Sequence, residues 1–449
     1  MTRDSVHHAL PTATVGETLA VMGDVFVPNI AKGVIVRRPK AVSMAEKLGL
    51  DQRAIRRLQQ LNEKYGPGPL MLNTPDSRPM ALILDPDHAN RVLNETPEPF
   101  ATAEWAKRKA LEHFEPDMAL VSHGPERAER RRFNEQVLQS ECPVHGLGAR
   151  FAKVVEEEAC ELLDHVDRHD GKLDWDMFDS AWSRVVRRVV LGDTARDDRG
   201  LSDMLTKLRS AANWAFFHPG HDHLRDTFHE RLCTYLKRGE AGSLAGEISR
   251  MPLNEDTKPE HQVPQYLFAF DPAGMATLRA LALLAAHPTH ADRAQDEIAG
   301  NDLERAPTLD YLRACVLESL RLWPTTPMVL RQTTEETKWE NGVMPAETSI
   351  LMLAPYFHRD DRHLDDANRF DPDLWLQPGE AGNWPMIPFS GGTGICPGRR
   401  VVLLVTSHML ARLLKGREYQ LNPPTRLLSS KPMPPLLNNY DLEFKSKAY

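Results

Sequence analysis

The chain has no Cys-x-x-Cys pair, no apolar run of roughly 18 residues and no excess of positive charge. Its five cysteines (Cys142, Cys160, Cys233, Cys315 and Cys396) are an odd, scattered set. They offer no disulfide framework and fit a reducing compartment. Lys and Arg number 55 against 63 Asp and Glu, a formal net charge of −8, which argues against nucleic-acid binding as the main activity. The most apolar stretch, 265–287, is interrupted by Asp271, Pro272 and Arg279, so no transmembrane segment is expected. The first residues carry acids and prolines and no apolar core, so we expect no secretory signal and a cytoplasmic location. Residues 25–36 (VFVPNIAKGVIV) are apolar enough to touch a membrane, but packing against the body of the protein is the simpler expectation. Internal repeats and low-complexity linkers are also missing, so one domain over 1–449 is expected, with 1–45 as an irregular N-terminal segment.

What remains reads as mainly α with small β portions. Periodicity and capping signals predict helices over about 50–65, 86–95, 124–139, 146–167, 173–191, 199–213, 222–238, 265–287, 289–299, 308–322 and 397–414. Short strands are expected at 69–73 and 79–85, and a strand-rich patch over 328–356 with a turn at Glu340-Asn341-Gly342.

Three stretches stand out. Residues 389–400 (FSGGTGICPGRR) place glycines before Cys396 and a helix directly after it. Glycines let a backbone approach a flat group closely, and a helix N-terminus favours a thiolate. Taken alone, the stretch is better explained by a buried structural cysteine beside a glycine-rich turn. Glu318 and Arg321 form an i,i+3 pair in an apolar helix, followed by Arg369 in ANRFDP. Finally, Asp271 and Pro272 sit side by side in the most apolar helix, where an interior proline costs roughly 3 kcal/mol.

Together these motifs resemble the cytochrome P-450 family of haem-thiolate monooxygenases. Phe389, Gly392, Cys396 and Gly398 match its F-x-x-G-x-x-x-C-x-G loop; Glu318 and Arg321 match its E-x-x-R; Arg369-Phe370 match the element that follows. The resemblance covers the chain from about residue 50 onward, and it implies haem b buried between a long distal helix and the Cys loop. By it, Cys396 is the axial ligand and Phe389 packs near the sulfur. Gly392 and Gly398 let the loop lie against the ring. Glu318, Arg321 and Arg369 form a buried charge network behind the loop, and Arg127, Arg131 and Arg331 hold the propionates. Two residues before the cysteine the family usually has a base, where this chain has Gly394; His358 is a weak replacement for that contact. Arg130, Arg132, Arg399 and Arg400 offer a basic patch for an acidic ferredoxin or flavodoxin, served by a reductase and NAD(P)H. A largely apolar pocket for a small organic substrate, such as a natural product, would use Trp105, Trp214, Phe216, Phe217, Phe268 and Met328, although core packing explains each aromatic equally well. A monomer is expected.

The family usually follows the distal acid with threonine. Here Asp271 is kept and the alcohol is replaced by Pro272, which lacks both hydroxyl and N–H. Three readings stay open. Pro272 kinks the helix and the enzyme remains an oxygen-dependent monooxygenase. Alternatively, the enzyme uses peroxide, or performs an isomerisation or dehydration. The remotest is a haem-binding sensor without turnover. His218, His221 and His223 look like a metal cluster, but a turn between two helices is the expectation.

Overall fold

The computed structural model describes residues 9–74, 78–217, 219–376 and 386–449. Its axis is the helix Pro259–Ala286, which starts on a proline at its first turn and buries an unbroken run from Ala276 to Leu284. A helix apolar on every side must be covered on every side. Helices Trp175–Leu191, Asp310–Leu322 and Arg399–Leu414 supply that cover. The central helix begins six residues before the expected 265, because its first turn is polar and carries no apolar period. It is the one described helix long and apolar enough to cross a membrane, and 72% of the relevant window is buried inside the protein.

A second hydrophobic cluster forms around a five-stranded sheet. Its order is Leu70–Leu72, Met80–Leu82, Ser349–Leu353, Met328–Thr333 and Phe100–Ala101. Most of the predicted strands fall here, while Thr337–Trp339 and Gly342–Met344 form a separate two-stranded sheet in which Trp339 pairs with Gly342 across the expected turn. A three-stranded sheet joins Lys172–Asp174 to the C-terminal strands Arg417–Asn422 and Glu443–Ala448. The mainly α architecture with small sheets agrees with the sequence reading.

The N-terminal segment does not. Residues expected to be irregular form helices Val15–Val21, Val27–Lys32 and Pro39–Lys47, the first two joined by a π-helical segment, Met22–Phe26. Thr14 and Glu17 form a reciprocal capping box, and prolines open the other two helices. Short helices Trp105–Leu111 and Leu244–Ile248 also escaped the sequence reading, being under two and a half turns long.

Candidate functional site

Cys396 lies in the turn that feeds helix Arg399–Leu414. Its N–H donates to the Phe389 carbonyl at 2.9 Å. Burial pushes the thiol above its ordinary range, while N–H groups of Gly398 and Arg399 and the charge of Arg131 pull it back. No group of three metal-ligating side chains occurs among the described residues. Cys396 is therefore a lone soft donor, suited to a metal that arrives with its other ligands.

Against the protein itself the two glycines differ. Gly392 has φ +56°, and a Cβ there would fall 2.3 Å from the Leu93 carbonyl. It is needed for the loop to pass the chain at Leu93. Gly398 has φ −85° and room for a Cβ, so no protein contact requires a glycine there. The departure at Gly394 acquires a reason. The position its Cβ would occupy lies 2.7 Å from Nη2 of Arg331, so the strand arginine fills the space the missing side chain leaves.

Arg331 is buried. It donates to Thr96 Oγ1 at 3.1 Å and Ser390 Oγ at 3.2 Å, and burial with the charge of Arg127 lowers it to about 10. Arg131 donates to the Ile395 carbonyl at 2.8 Å and to Glu135 at 2.5 Å, tying the helix Gly124–Val137 to the Cys loop. Arg127 makes a long contact to Thr102 Oγ1, 3.4 Å, and is lowered by burial and by Arg131. Lys107, which the sequence reading missed inside an ordinary K-R-K run, donates to the carbonyls of Thr102 and Leu330 and is pushed down to about 7 by burial and Arg331. Like charges this close disfavour one another unless an anion joins them. The cluster fits the paired carboxylates of haem, and the lone thiol beside it fits the iron.

Behind the loop, Glu318 and Arg321 are fully buried and doubly bonded, at 2.7 and 2.6 Å. Glu318 also accepts from the Asp371 N–H at 2.9 Å and Trp375 Nε1 at 3.0 Å. Arg321 donates to the carbonyls of His358, Ala367 and Arg369. This corrects the role expected of Arg369: its backbone oxygen takes part, while its side chain is 62% exposed and pairs with Asp366. The network thus holds two charges, with backbone dipoles completing it. His358 does not replace a propionate contact either. It is fully buried, accepts the Ile387 N–H at 2.8 Å, and is driven down to about 3 by burial and Arg321. Arg130 leaves the expected docking patch: it is buried and donates to the Asp256 carbonyl and Ser122. Arg132 is exposed but paired with Glu129.

On the distal side, the central helix runs unbroken through Pro264 and Pro272. Trp182 donates to the Phe270 carbonyl at 2.7 Å and packs where a Cβ at Gly274 would stand. Phe270 is thereby the phenylalanine that points into the core. Asp271 is 43% exposed and accepts from Arg209 at 2.5 Å, while the Arg209 guanidinium also lies 4.3 Å over the ring of Phe268. Asp271 therefore has an arginine partner from helix Arg199–Ala212 that no motif announced. Two further carboxyls belong to this region. Glu115 is fully buried, has neither oxygen hydrogen-bonded among the described residues, and is held well above the ordinary range by burial despite Arg209. Asp179 is raised to about 7 by burial first, then by Asp271 and Asp176, against Arg187.

The sign of the Asp179 effect on stability is fixed. The folded state keeps this proton to higher pH than the unfolded chain, so stability falls as pH climbs from about 4 to about 7 and levels above. The Asp179→Asn variant should lose that decline, read as the difference in melting midpoint between variant and wild type across this window.

The expected apolar pocket is only partly assembled. Phe268 is half-buried, with its ring 6.2 Å from that of Phe114. Met328 packs on the sheet cluster. Trp105 lies 5.2 Å from the ring of Phe216, tilted by 58°, and carries the Arg78 guanidinium 4.0 Å over its own ring. Trp214, Phe216 and Phe217 are exposed instead, Phe217 by 85%, because they lie beyond the last turn of helix Arg199–Ala212. Of the three expected decoy histidines, His218 lies outside the described residues.

Comparisons with known proteins identify the family and the fold. The sequence profile described as Cytochrome P450 matches residues 42–219 and 263–441. Cytochrome P450 4c3 of Drosophila melanogaster is 31% identical over 185 residues, 38% of this chain and 34% of that protein. Cyclooctat-9-en-7-ol 5-monooxygenase of Streptomyces melanosporofaciens is 31% identical over 182 residues, 38% of this chain and 40% of that protein. The match thus spans well under half the length of these curated relatives. Among solved structures, the haem domain of cytochrome P450DA superposes with TM-score 0.70 at 17% identity, over 89% of this chain and 92% of that one. Retinoic acid-bound cyanobacterial CYP120A1 gives 0.68 at 17% identity, over 87% and 94%. The structures share the fold, the profile covers most of the chain, and the chain belongs to the cytochrome P450 family.

Proposed function

We propose that this protein is a haem-thiolate monooxygenase acting on a small organic substrate, with Cys396 as the axial ligand. The observation that carries the reading is the lone thiol of Cys396 beside the anion-seeking cluster of Arg127, Arg131, Arg331 and Lys107. Thiolate-ligated haem, when bound, favours O–O cleavage. This chain's residues do the rest. Arg331 and Arg127 hold the propionates, with Arg331 also bonded to the loop through Ser390. The Cys396 N–H bond to Phe389 fixes the loop, and the N–H groups of Gly398 and Arg399 lower the basicity of the sulfur.

On the distal side Asp271 is wet enough to exchange protons with water, and Arg209 fixes its orientation. Pro272 brings neither an N–H to the Phe268 carbonyl nor a hydroxyl to the pocket. Water or a substrate hydroxyl must then occupy the place of the alcohol. Restoring it by Pro272→Thr adds one hydrogen bond of about 0.5–1.5 kcal/mol, which should raise product formed per NAD(P)H about two- to tenfold. An unchanged ratio in a folded variant would mean the position does not control proton delivery.

Electrons would come from NAD(P)H through a separate reductase and a ferredoxin or flavodoxin, and we treat 1–449 as one monomeric unit. The five cysteines are all free, which supports a reducing, cytoplasmic compartment. A peroxide-driven reaction is the second reading, favoured by Pro272 alone. One comparison tests both: product formation with NAD(P)H, reductase and ferredoxin, and separately with hydrogen peroxide. Turnover with peroxide only would overturn the monooxygenase reading, and a ferrous-CO spectrum without the red-shifted Soret band would overturn haem-thiolate ligation.

A further inference from the structure

A cavity of about 30 Å³ is lined by none of the residues placed around Cys396 or Asp271. Distant stretches of the chain meet in its wall. The N-terminal part brings Lys32, Arg37 and Asp51, the central helix brings Arg279, and the C-terminal tail brings Asn439 and Tyr440.

The charges in this wall do not balance. Lys32 is buried and pairs at 2.6 Å with Asp51, the one carboxylate in the lining. Arg279, also buried, donates to the carbonyls of Trp323 at 3.1 Å and Leu437 at 2.8 Å. Half-buried Arg37 donates to those of Gly33 at 2.8 Å and Thr325 at 2.7 Å. Carbonyl dipoles orient a guanidinium without cancelling its charge, so three cations against one carboxylate leave two charges unmatched. Burial lowers Arg279 to about 10, and Arg37 adds to the fall against Tyr440, Glu46 and Asp51. Glu46 is itself taken up by Arg426 at 3.0 Å.

Hydrogen-bonding capacity is left over in the same place. Nε of Arg279 and both amide atoms of Asn439 are buried with no partner among the described residues. One oxygen of Asp51 is also without a partner, although its charge is matched by Lys32. Asn439 is 1% exposed, so bulk water does not serve its amide.

We infer that this cavity binds a small monovalent anion of about chloride size. A single water takes about 10–15 Å³ of such volume, so a halide fits and a phosphate does not. The anion offsets charge that water would leave unmatched, gives the Asn439 amide an acceptor, and ties both ends of the chain to the central helix. None of this depends on the catalytic reading.

The test is the melting midpoint of the holoprotein at fixed ionic strength, with gluconate replaced stepwise by chloride or bromide. Wild type should gain about 2–4 °C as halide saturates. Arg37→Met and Asn439→Leu should each weaken the halide response at least about tenfold, whereas Lys415→Met, at an exposed position, should keep the wild-type response. Crystals in bromide should show an anomalous scattering peak inside the cavity. Should Asn439→Leu fail to fold, Arg37→Met and the anomalous map decide. The inference is overturned if wild type gains nothing and the cavity shows no peak, because water then fills it. A peak without any gain in midpoint would mean an adventitious ion only, and an equal gain in all variants would mean a general salt effect; either result overturns it too.

Discussion

A Cys396→Ala variant should fold and yet lose the red-shifted Soret band of its ferrous-CO form, with turnover falling by more than about a thousandfold. That fold-change is some 4 kcal/mol of barrier, a modest demand on the loss of a metal's thiolate ligand. The substitution removes one half-buried sulfur, and the loop keeps the Cys396 N–H bond to Phe389, the Arg131 bond to Ile395 and the Arg331 bond to Ser390. Fold and ligation can therefore be separated. Cys142→Ala and Cys160→Ala, at exposed positions, serve as controls and should leave spectrum and rate unchanged. If Cys396→Ala kept the band, the ligand would have to be another residue, and the cationic cluster beside the loop would lose its explanation.

Glu318→Gln should have the larger effect on stability. Four donors converge on the two carboxylate oxygens: two from Arg321, one from the Asp371 backbone and one from Trp375. The amide offers a donor where all four neighbours donate, and leaves Arg321 buried and unpaired. Breaking a buried pair from one side costs about 3–5 kcal/mol, seen as a lower denaturant midpoint and reduced haem content. Arg369→Ala is the discriminating companion. Its side chain lies in solvent, so the change should stay within about 0.5 kcal/mol. Equal losses in the two variants would restore Arg369 as a third buried charge.

That contrast shows what the sequence could reveal. Glu318 and Arg321 were legible because an i,i+3 ion pair in an apolar helix is chemically conspicuous. Arg369 was misread because its contribution is a carbonyl oxygen, which every residue has. The helices of the core and the strands of the main sheet were legible through their periods. The N-terminal helices were not, because each is short and carries apolar residues on its exposed as well as its buried side, which blurs the period. Lys107 and Arg209 reach the site from short or distant helices, and only folding brings them to the loop and to Asp271. Trp214 and Phe217 carried an aromatic signal that could not say which way they point.

The place left open at Gly394 and filled by Arg331 has a consequence for how this sequence can change. Giving position 394 the base its family usually carries would set a side chain 2.7 Å from the Arg331 guanidinium and add a second cation to one space. Each single change, Gly394→Arg or Arg331→Gly, should be damaging, while the pair together should be tolerated. The order of substitution matters, and the two positions can drift only in step. In this chain, with the Arg331 guanidinium placed as it is, glycine at 394 is held in place by the strand arginine rather than by the loop itself.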